Sequence, residues 1–211
     1  MFAATGTSRS NRPHRAICAA CLLLYAAALA SCDAGAPAPQ PPVDLQGVAQ
    51  DPLAEMRDVA VVLLFVRTDC PISNRYVPRL LALQRDFAAE GVAFVLVYPD
   101  PSESPDDIAA HHAEYGIDTA TFHTLRDIEH RLVTTCGATM TPEAAVYVPT
   151  DAGPRLIYRG RIDDQFVDYG KTRAEPTTHD LRQALMMVTT GPTPPAQRTT
   201  QAVGCPIPRL R

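Results

Sequence analysis

The residue with the clearest chemical promise is a cysteine placed where a strand passes into a helix. Cys70 follows an apolar run, 59–67, whose β-branched and aromatic residues are typical of a buried strand. A segment with helical spacing begins directly after it, with Pro71 suited to the first turn. A thiol at a helix N-terminus faces free N–H groups and the positive end of the helix dipole, so its pKa falls below about 8.5. We therefore predict that Cys70 is a nucleophilic thiolate within reach of solvent.

The residues around Cys70 modify this prediction. Arg67 and Arg75 flank the cysteine and would favour the thiolate, whereas the carboxylate of Asp69 would oppose it. Ser73 falls one turn into the predicted helix, where its hydroxyl can donate a hydrogen bond to the sulfur. A buried structural cysteine, or one half of a permanent disulfide, is the alternative interpretation.

A thiolate that attacks a disulfide needs a second thiol to release the product. Cys205 lies between Gly204 and Pro206 in a Pro/Thr-rich tail that is long enough to fold back across the domain. Cys136 ends a predicted helix and is more typical of a core residue. A Cys70–Cys205 redox pair is the favoured hypothesis. A permanent staple between the same two residues, pairing through Cys136, and an external resolving thiol are the open alternatives.

The N-terminus has the pattern of a bacterial export signal. The first 15 residues carry three arginines and no acid, and a short Ala/Leu-rich run follows over 16–30. The motif Leu-Ala-Ser-Cys that ends at Cys32 resembles a lipobox, in which the cysteine is lipidated. We predict a lipoprotein signal peptide over 1–31 and a Pro/Ala-rich tether over 32–52, with Asp33 favouring the inner membrane. An ordinary signal peptide or an uncleaved anchor helix is the alternative.

The hydrophobic patterns predict strands and helices in the order βαβα(β)αββα. Parallel crossover units come first and an antiparallel hairpin comes last, which indicates an α/β fold with a central mixed sheet and flanking helices in three layers. We predict a domain over 53–191 and a tail over 192–211. The predicted strands are 59–67, 92–98, 122–125, 143–148 and 155–159, and the predicted helices are 71–90, 104–115, 128–136 and 177–190.

Three pieces of the chain resemble the thioredoxin-like superfamily, and most closely its redoxin branch of alkyl hydroperoxide reductase/thiol-specific antioxidant-like proteins. They are the strand 59–67, the motif Asp-Cys-Pro-Ile-Ser around Cys70, and Thr141-Pro142 before a strand. The resemblance implies a thioredoxin-like three-layer fold over about 55–190. It also implies a cis peptide bond at Pro142, contact of Pro142 with Cys70, and pairing of the Thr141 backbone with an extended substrate. A plain trans turn at Thr141-Pro142 is the alternative.

The chain departs from these relatives at three positions. Ser73 stands where thioredoxins carry the second cysteine of Cys-x-x-Cys, so the motif contains no resolving thiol. Thr68 lies two residues before Cys70, whereas the corresponding threonine of peroxiredoxins lies three before their cysteine. Asn74 stands where the copper-delivering Sco proteins need their second cysteine. These departures weigh against efficient peroxidase activity and against a bidentate thiolate copper site.

Other residue clusters point less clearly to chemistry. The histidines His111, His112, His123 and His130 lack the spacing of a metal site, and we interpret them as solvated helix residues. Arg161 is a candidate anion or thiolate partner, with a charged turn as the alternative. The net charge of −4 and the absence of a basic stripe argue against a nucleic-acid binder.

The predicted function is thiol–disulfide exchange on exported protein thiols or disulfides, with Cys70 as nucleophile and Cys205 as resolving thiol. Thr141 and Pro142 would form the substrate ledge. No metal or organic cofactor is required, and the partners are a protein substrate or an external thiol reductant, with the membrane reached through the lipid. A peroxiredoxin-like thiol peroxidase is the first alternative, and a non-catalytic binding module or copper-handling protein is the second. Supporting roles are predicted for Thr68, Pro71, Ser73 and Arg161.

Overall fold

The apolar run before Cys70 forms the centre of the sheet. In this computed structural model, which describes residues 39–54, 56–191 and 196–210, strand β1 (Ala60–Phe65) is buried at every position. It pairs in parallel with β2 (Val92–Tyr98) and antiparallel with β5 (Glu143–Val148). Because both faces of β1 are covered by other layers, its sequence is continuously apolar instead of alternating.

One six-stranded mixed sheet carries the fold, in the order β3-β2-β1-β5-β6-β9. Two two-residue strands, β4 and β10, pair with each other, and β7 and β8 form a separate hairpin. The mixed α/β architecture expected from the sequence is confirmed. The remaining strands are β3 (His123–Arg126), β4 (Met140–Thr141), β6 (Arg155–Gly160), β7 (Phe166–Asp168), β8 (Lys171–Thr172), β9 (Arg198–Thr199) and β10 (Cys205–Pro206).

Helices cover both faces of the sheet. The apolar side chains of α1 (Pro71–Phe87), α2 (Pro105–Tyr115) and α4 (Asp180–Thr190) join one buried cluster with Val62 of β1. Those of α3 (Arg131–Cys136) belong to the cluster on the opposite face. Alternate side chains of each strand therefore pack into one of two separate cores, one on each face of the sheet, as a three-layer fold requires.

Local capping explains where these helices begin. Ser104 caps α2 through a reciprocal pair of hydrogen bonds with Asp107, as its position before Pro105 predicts. Helix α4 begins at Asp180, later than the predicted cap at Thr177 or Thr178. The physical reason is that both threonine N–H groups donate to the carboxylate of Asp164, at 2.7 and 2.9 Å, and so hold their segment outside the helix.

Both predicted tails differ from expectation where the structure describes them. Val43 exchanges two backbone hydrogen bonds with Arg126 of β3, so 39–52 lies against the domain instead of acting as a free tether. At the other end, β9 adds to β6 in parallel and β10 adds to β4. Strands of two residues have no readable hydrophobic pattern, which is why the sequence did not reveal them. The predicted signal peptide 1–31 and Cys32 lie outside the described residues.

No helix in the described parts of the chain has the length and hydrophobicity needed to cross a membrane.

Asp180 connects α4 to the C-terminal segment, and its replacement should destabilise the fold. Its carboxylate is fully buried and accepts hydrogen bonds from Arg161, at 2.7 Å, and from Arg198. We expect Asp180→Ala to lower the free energy of unfolding by about 2 kcal/mol, measured by urea denaturation, because two arginines lose their shared acceptor. The control Asp151→Ala changes an exposed turn residue. Equal unfolding free energies for the two variants would contradict this role.

Candidate active site

The sulfur of Cys70 lies at the N-cap of α1, as the sequence predicts. The backbone of Cys70 is extended, with φ −84° and ψ 109°, and the Ser73 N–H donates to the sulfur at 3.5 Å. In its thiol form Cys70 can also donate to the carbonyl oxygen of Thr141, 3.2 Å away. The expected exposure of the sulfur is wrong, because Cys70 is 0% accessible to solvent. The sulfur is therefore activated by position but covered.

The cover includes the second cysteine of the predicted pair. Cys205 lies in β10 directly opposite Thr141 in the antiparallel ladder, and its side chain hydrogen-bonds that of Cys70. Its own side chain is half-buried, and the Tyr169 hydroxyl lies 3.7 Å from its sulfur. All three cysteines of the described residues are free thiols. The structure thus brings Cys205 to Cys70 with both sulfurs reduced.

The two thiols of this pair differ in acidity. Burial raises the pKa of Cys70, but hydrogen bonds from Cys205 and Ser73 outweigh it and hold that pKa below the ordinary thiol value. The Ser73 hydroxyl, which has no other partner among the described atoms, contributes to this lowering. Burial and the neighbouring Cys70 sulfur raise the pKa of Cys205 to about 11. Of the two thiols, Cys70 is therefore the more acidic, and Cys205 holds its proton more tightly.

The Thr141–Pro142 peptide bond is cis, which confirms the expectation drawn from the resemblance. Pro142 follows Thr141, whose carbonyl oxygen lies against the Cys70 sulfur. Glu143 holds this loop in place. Its buried carboxylate accepts hydrogen bonds from the N–H groups of Thr139 and Met140, at 2.8 and 3.0 Å. This contribution could not be predicted from sequence, because an acid at the start of a buried strand has no characteristic spacing.

Thr68 supports the loop before Cys70 instead of the sulfur itself. Its N–H and hydroxyl both donate to one carboxylate oxygen of Glu103, at 2.6 and 2.7 Å. Its carbonyl oxygen accepts a hydrogen bond from the side chain of Asn74 at 2.9 Å. Burial raises the pKa of Glu103. Glu103 and Asn74 therefore fix the turn from β1 into α1, a role that sequence reasoning missed for both residues.

The histidines are buried more often than predicted. His111 and His112 are each 4% exposed and contact the hydroxyl of Tyr98 at 3.0 and 3.2 Å. The other ring nitrogen of His111 lies 2.9 Å from the Asn74 side chain, which links this pair to the turn before α1. Burial lowers the pKa of both, to about 4 for His112, so both are neutral at pH 7. His130 is also buried, and only His123 has the predicted exposure.

Two sequence-based candidates lie away from the sulfur. The Arg161 guanidinium hydrogen-bonds Asp180 at 2.7 Å and Thr178 at 3.2 Å, and the hydrogen bonds described at Cys70 do not include it. The thiolate-partner role proposed for Arg161 is thus not supported. Cys136 packs in the opposite core, where the Tyr147 hydroxyl is 3.6 Å from its sulfur and burial raises its pKa to about 12. Cys136 is therefore a core thiol and not a partner of Cys70.

Across 39–54, 56–191 and 196–210, no group of three or more His, Cys, Asp or Glu residues has the arrangement of a metal site.

The acidity of Cys70 should depend on the thiol of Cys205. We expect Cys205→Ala to raise the Cys70 pKa, because it removes a hydrogen bond to the thiolate. The midpoint of the pH dependence of Cys70 alkylation, followed by mass spectrometry of its peptide, measures this change. Cys136→Ala is the matched control and should leave the midpoint unchanged. A midpoint in Cys205→Ala equal to that of the unmodified protein would refute this dependence on Cys205.

Comparisons with known proteins find several solved structures with a similar fold. The chain is similar to a hypothetical protein of Sinorhizobium meliloti 1021, at 28% identity and TM-score 0.62 over 79% of this chain and 88% of that one. It is similar to an uncharacterized conserved protein of Geobacillus kaustophilus, at 23% identity and TM-score 0.65 over 82% and 90%. Mycobacterium tuberculosis dsbF matches at 16% identity and TM-score 0.50 over 71% and 96%. No curated protein matches.

These likenesses show that the fold is thioredoxin-like, as the sequence suggested. The sequence also matches the AhpC/TSA family over residues 34–153, which is more than half of its length. That match spans β1, Cys70 and the cis-Pro142 loop. The chain belongs to the AhpC/TSA family.

Proposed function

We propose that this protein is a thiol–disulfide oxidoreductase in which Cys70 is the nucleophile and Cys205 the resolving thiol. The observation that supports it most is the contact between the two sulfurs at the N-terminus of α1, next to the cis-Pro142 loop. Membership of the AhpC/TSA family supports a thiol-redox role in general terms. The contact between the sulfurs favours resolution of the mixed disulfide by Cys205 of the same chain over resolution by an external thiol.

The proposed reaction has two displacements. The Cys70 thiolate attacks one sulfur of a substrate disulfide, so that a mixed disulfide forms and one substrate thiolate leaves. The Cys205 thiol then loses its proton to a departing substrate thiolate, and its sulfur attacks that of Cys70. The Cys70–Cys205 disulfide forms as the second substrate thiolate leaves. The substrate gains two electrons from the protein, one proton from Cys205 and a second proton from solvent, and an external thiol reductant restores the protein.

The difference in acidity between the two thiols gives the reaction its order. A lowered pKa makes Cys70 the better populated thiolate, and therefore the nucleophile of the first displacement. A raised pKa keeps Cys205 protonated, and therefore inert, until it meets the mixed disulfide. Cys205 therefore reacts only in the second displacement, when it attacks the mixed disulfide on Cys70.

A trapping experiment tests the assignment. We expect Cys70→Ser to abolish reduction of a model protein disulfide such as insulin, and Cys205→Ser to accumulate a mixed disulfide that a reducing gel dissolves. Cys136→Ala serves as control and should retain full turnover, because its thiol is buried in the other core. Full activity of Cys70→Ser, or trapping through Cys136 instead, would exclude this mechanism.

Peroxide is the second substrate to compare, because a sulfenic acid on Cys70 could condense with the adjacent Cys205 and release water. The position of Thr68 disfavours this route, since its hydroxyl donates to Glu103 and not toward the sulfur. We expect turnover of a protein disulfide to exceed peroxide consumption under the same thiol reductant. The reverse ranking would favour the peroxidase. A Cys70–Cys205 reduction potential below about −300 mV would indicate a structural staple instead.

We also propose that the protein acts outside the cytoplasm, held to the membrane by lipid on Cys32. The export pattern over 1–32 supports this location. Disulfides persist in such a compartment, as disulfide exchange requires. We expect a diacylglyceryl-modified Cys32 as the first residue of the mature protein, measured by mass spectrometry. Cys32→Ala should release the protein from the membrane fraction. Membrane association that survives this substitution would argue against the lipid anchor.

A further inference from the structure

The C-terminal segment lies where an extended substrate would pair with the cis-proline loop. Strand β10 runs antiparallel to β4, with Cys205 opposite Thr141. The Ile207 N–H donates to the Thr139 carbonyl at 3.0 Å, and the Thr141 hydroxyl donates to the Cys205 carbonyl at 3.2 Å. These are the contacts by which strand addition recognises a peptide backbone. The protein therefore carries a cysteine-containing strand in its own binding edge.

The outer side of this strand is closed to further pairing. Since the Ile207 N–H points toward β4, alternation along the strand places Pro206 and Pro208 with their backbone nitrogens facing away. Proline has no N–H, and it is the residue that protects exposed edge strands. An incoming peptide cannot extend the sheet beyond the tail. It reaches Thr139–Thr141 only by replacing 204–207.

The backbone approaches the loop closely just before Cys205. A Cβ atom on Gly204 would lie 2.0 Å from the Thr141 carbonyl oxygen and 2.7 Å from its carbon. Both atoms belong to the backbone of the loop, so they cannot move aside as the end of a flexible side chain could. Only glycine fits this path ahead of the cysteine.

The tail has a separate anchor from which the docked part can swing. The Thr200 N–H donates to the Arg159 carbonyl at 2.9 Å, and its hydroxyl lies 2.7 Å from that of Tyr158. Arg198 forms an ion pair with the buried Asp180. Residues 201–203 connect this anchor to 204–207. Release of the last segment therefore leaves β9 on the sheet.

We propose that residues 204–207 form a displaceable strand that occupies the substrate-binding edge, and that the substrate is an extended polypeptide segment whose cysteine follows a glycine. This inference rests on the proposed function and deepens it. It also accounts for the covered sulfur, since Cys70 meets its substrate only when the tail has left. The tail and the substrate therefore bind this edge in turn.

The two displacements then require opposite positions of the tail. With 204–207 released, the substrate strand pairs with β4 and the Cys70 thiolate attacks its disulfide, expelling one thiolate. The tail then returns and Cys205 attacks the Cys70 sulfur, forming the intramolecular disulfide. The second substrate thiolate leaves as the substrate strand is lifted from the edge. Resolution and product release become one event.

Alkylation of Cys70 tests the displaceable strand without any disulfide substrate. We expect Gly204→Val to speed alkylation by iodoacetamide roughly tenfold, because its side chain meets the Thr141 carbonyl and undocks the strand. The rates are compared on the plateau above the Cys70 pKa, so that a changed thiolate fraction does not contribute. Gln201→Val, at an exposed tail position, is the control and should react like the unmodified protein.

A second variant guards against unfolding as the cause. Ile207→Pro removes the N–H that donates to Thr139 and should also expose Cys70. The buried Cys136 should stay unmodified in both variants, which reports that the core is intact. If Cys70 reacts at the unmodified rate in Gly204→Val and in Ile207→Pro, the displaceable strand is wrong. Because no turnover is involved, this outcome is independent of the insulin assay.

A peptide added to the Gly204→Val protein tests the substrate class. Acetyl-Ala-Val-Gly-Ser-Pro-Ile-Pro-amide, at millimolar concentration to match the tethered tail, should restore protection of Cys70. The same peptide with Ala in place of Gly should protect at least about tenfold more weakly, since its methyl group meets the loop backbone. Equal protection by the two peptides would overturn the glycine requirement, and protection by neither would overturn strand exchange at this edge.

Discussion

A single hydrogen bond between two sulfurs underlies the chemistry of this site. Cys70 gains its acidity from the N-terminus of α1 and from the thiol of Cys205, which keeps the proton. Both sources act against burial of the sulfur, which disfavours the thiolate. The helix start, the cis-proline loop and the C-terminal strand all converge on this one contact. The scaffold is arranged to bring three distant parts of the chain to one sulfur atom.

Different residues position the two segments that meet at this contact. Glu103 and Asn74 hold the turn that delivers Cys70, and Glu143 holds the loop that delivers Thr141. Each of them hydrogen-bonds at least one backbone group of the segment that it supports, and so fixes the course of the chain. The neutral pair His111 and His112 extends the first of these supports into the core behind α2. A site built on such constraints can keep a reactive thiolate without a charged side chain bonded to the sulfur.

The parts of this protein that sequence could predict are those set by local physics. A strand that ends at a cysteine, followed by proline and helical spacing, locates Cys70 because helix caps depend on adjacent residues. The partner of Arg161 lies 19 residues away, and the cover over Cys70 comes from a residue 135 positions along the chain. Contacts of that kind depend on how the elements pack. The buried histidines show the same limit, because periodicity in a short helix did not separate the face toward Tyr98 from the exposed one.

The C-terminal segment also pairs with one strand of the six-stranded sheet and with one strand outside it. Strand β9 pairs with β6, and β10 pairs with β4, so one stretch of chain occupies two edges that would otherwise present unpaired N–H and C=O groups. Exposed edges of this type are templates for pairing between molecules. A single proteolytic cut before Arg198 would uncover both at once, so a clipped protein would be the form from which self-association and precipitation begin. The same segment thus shields two backbone edges and the Cys70 sulfur.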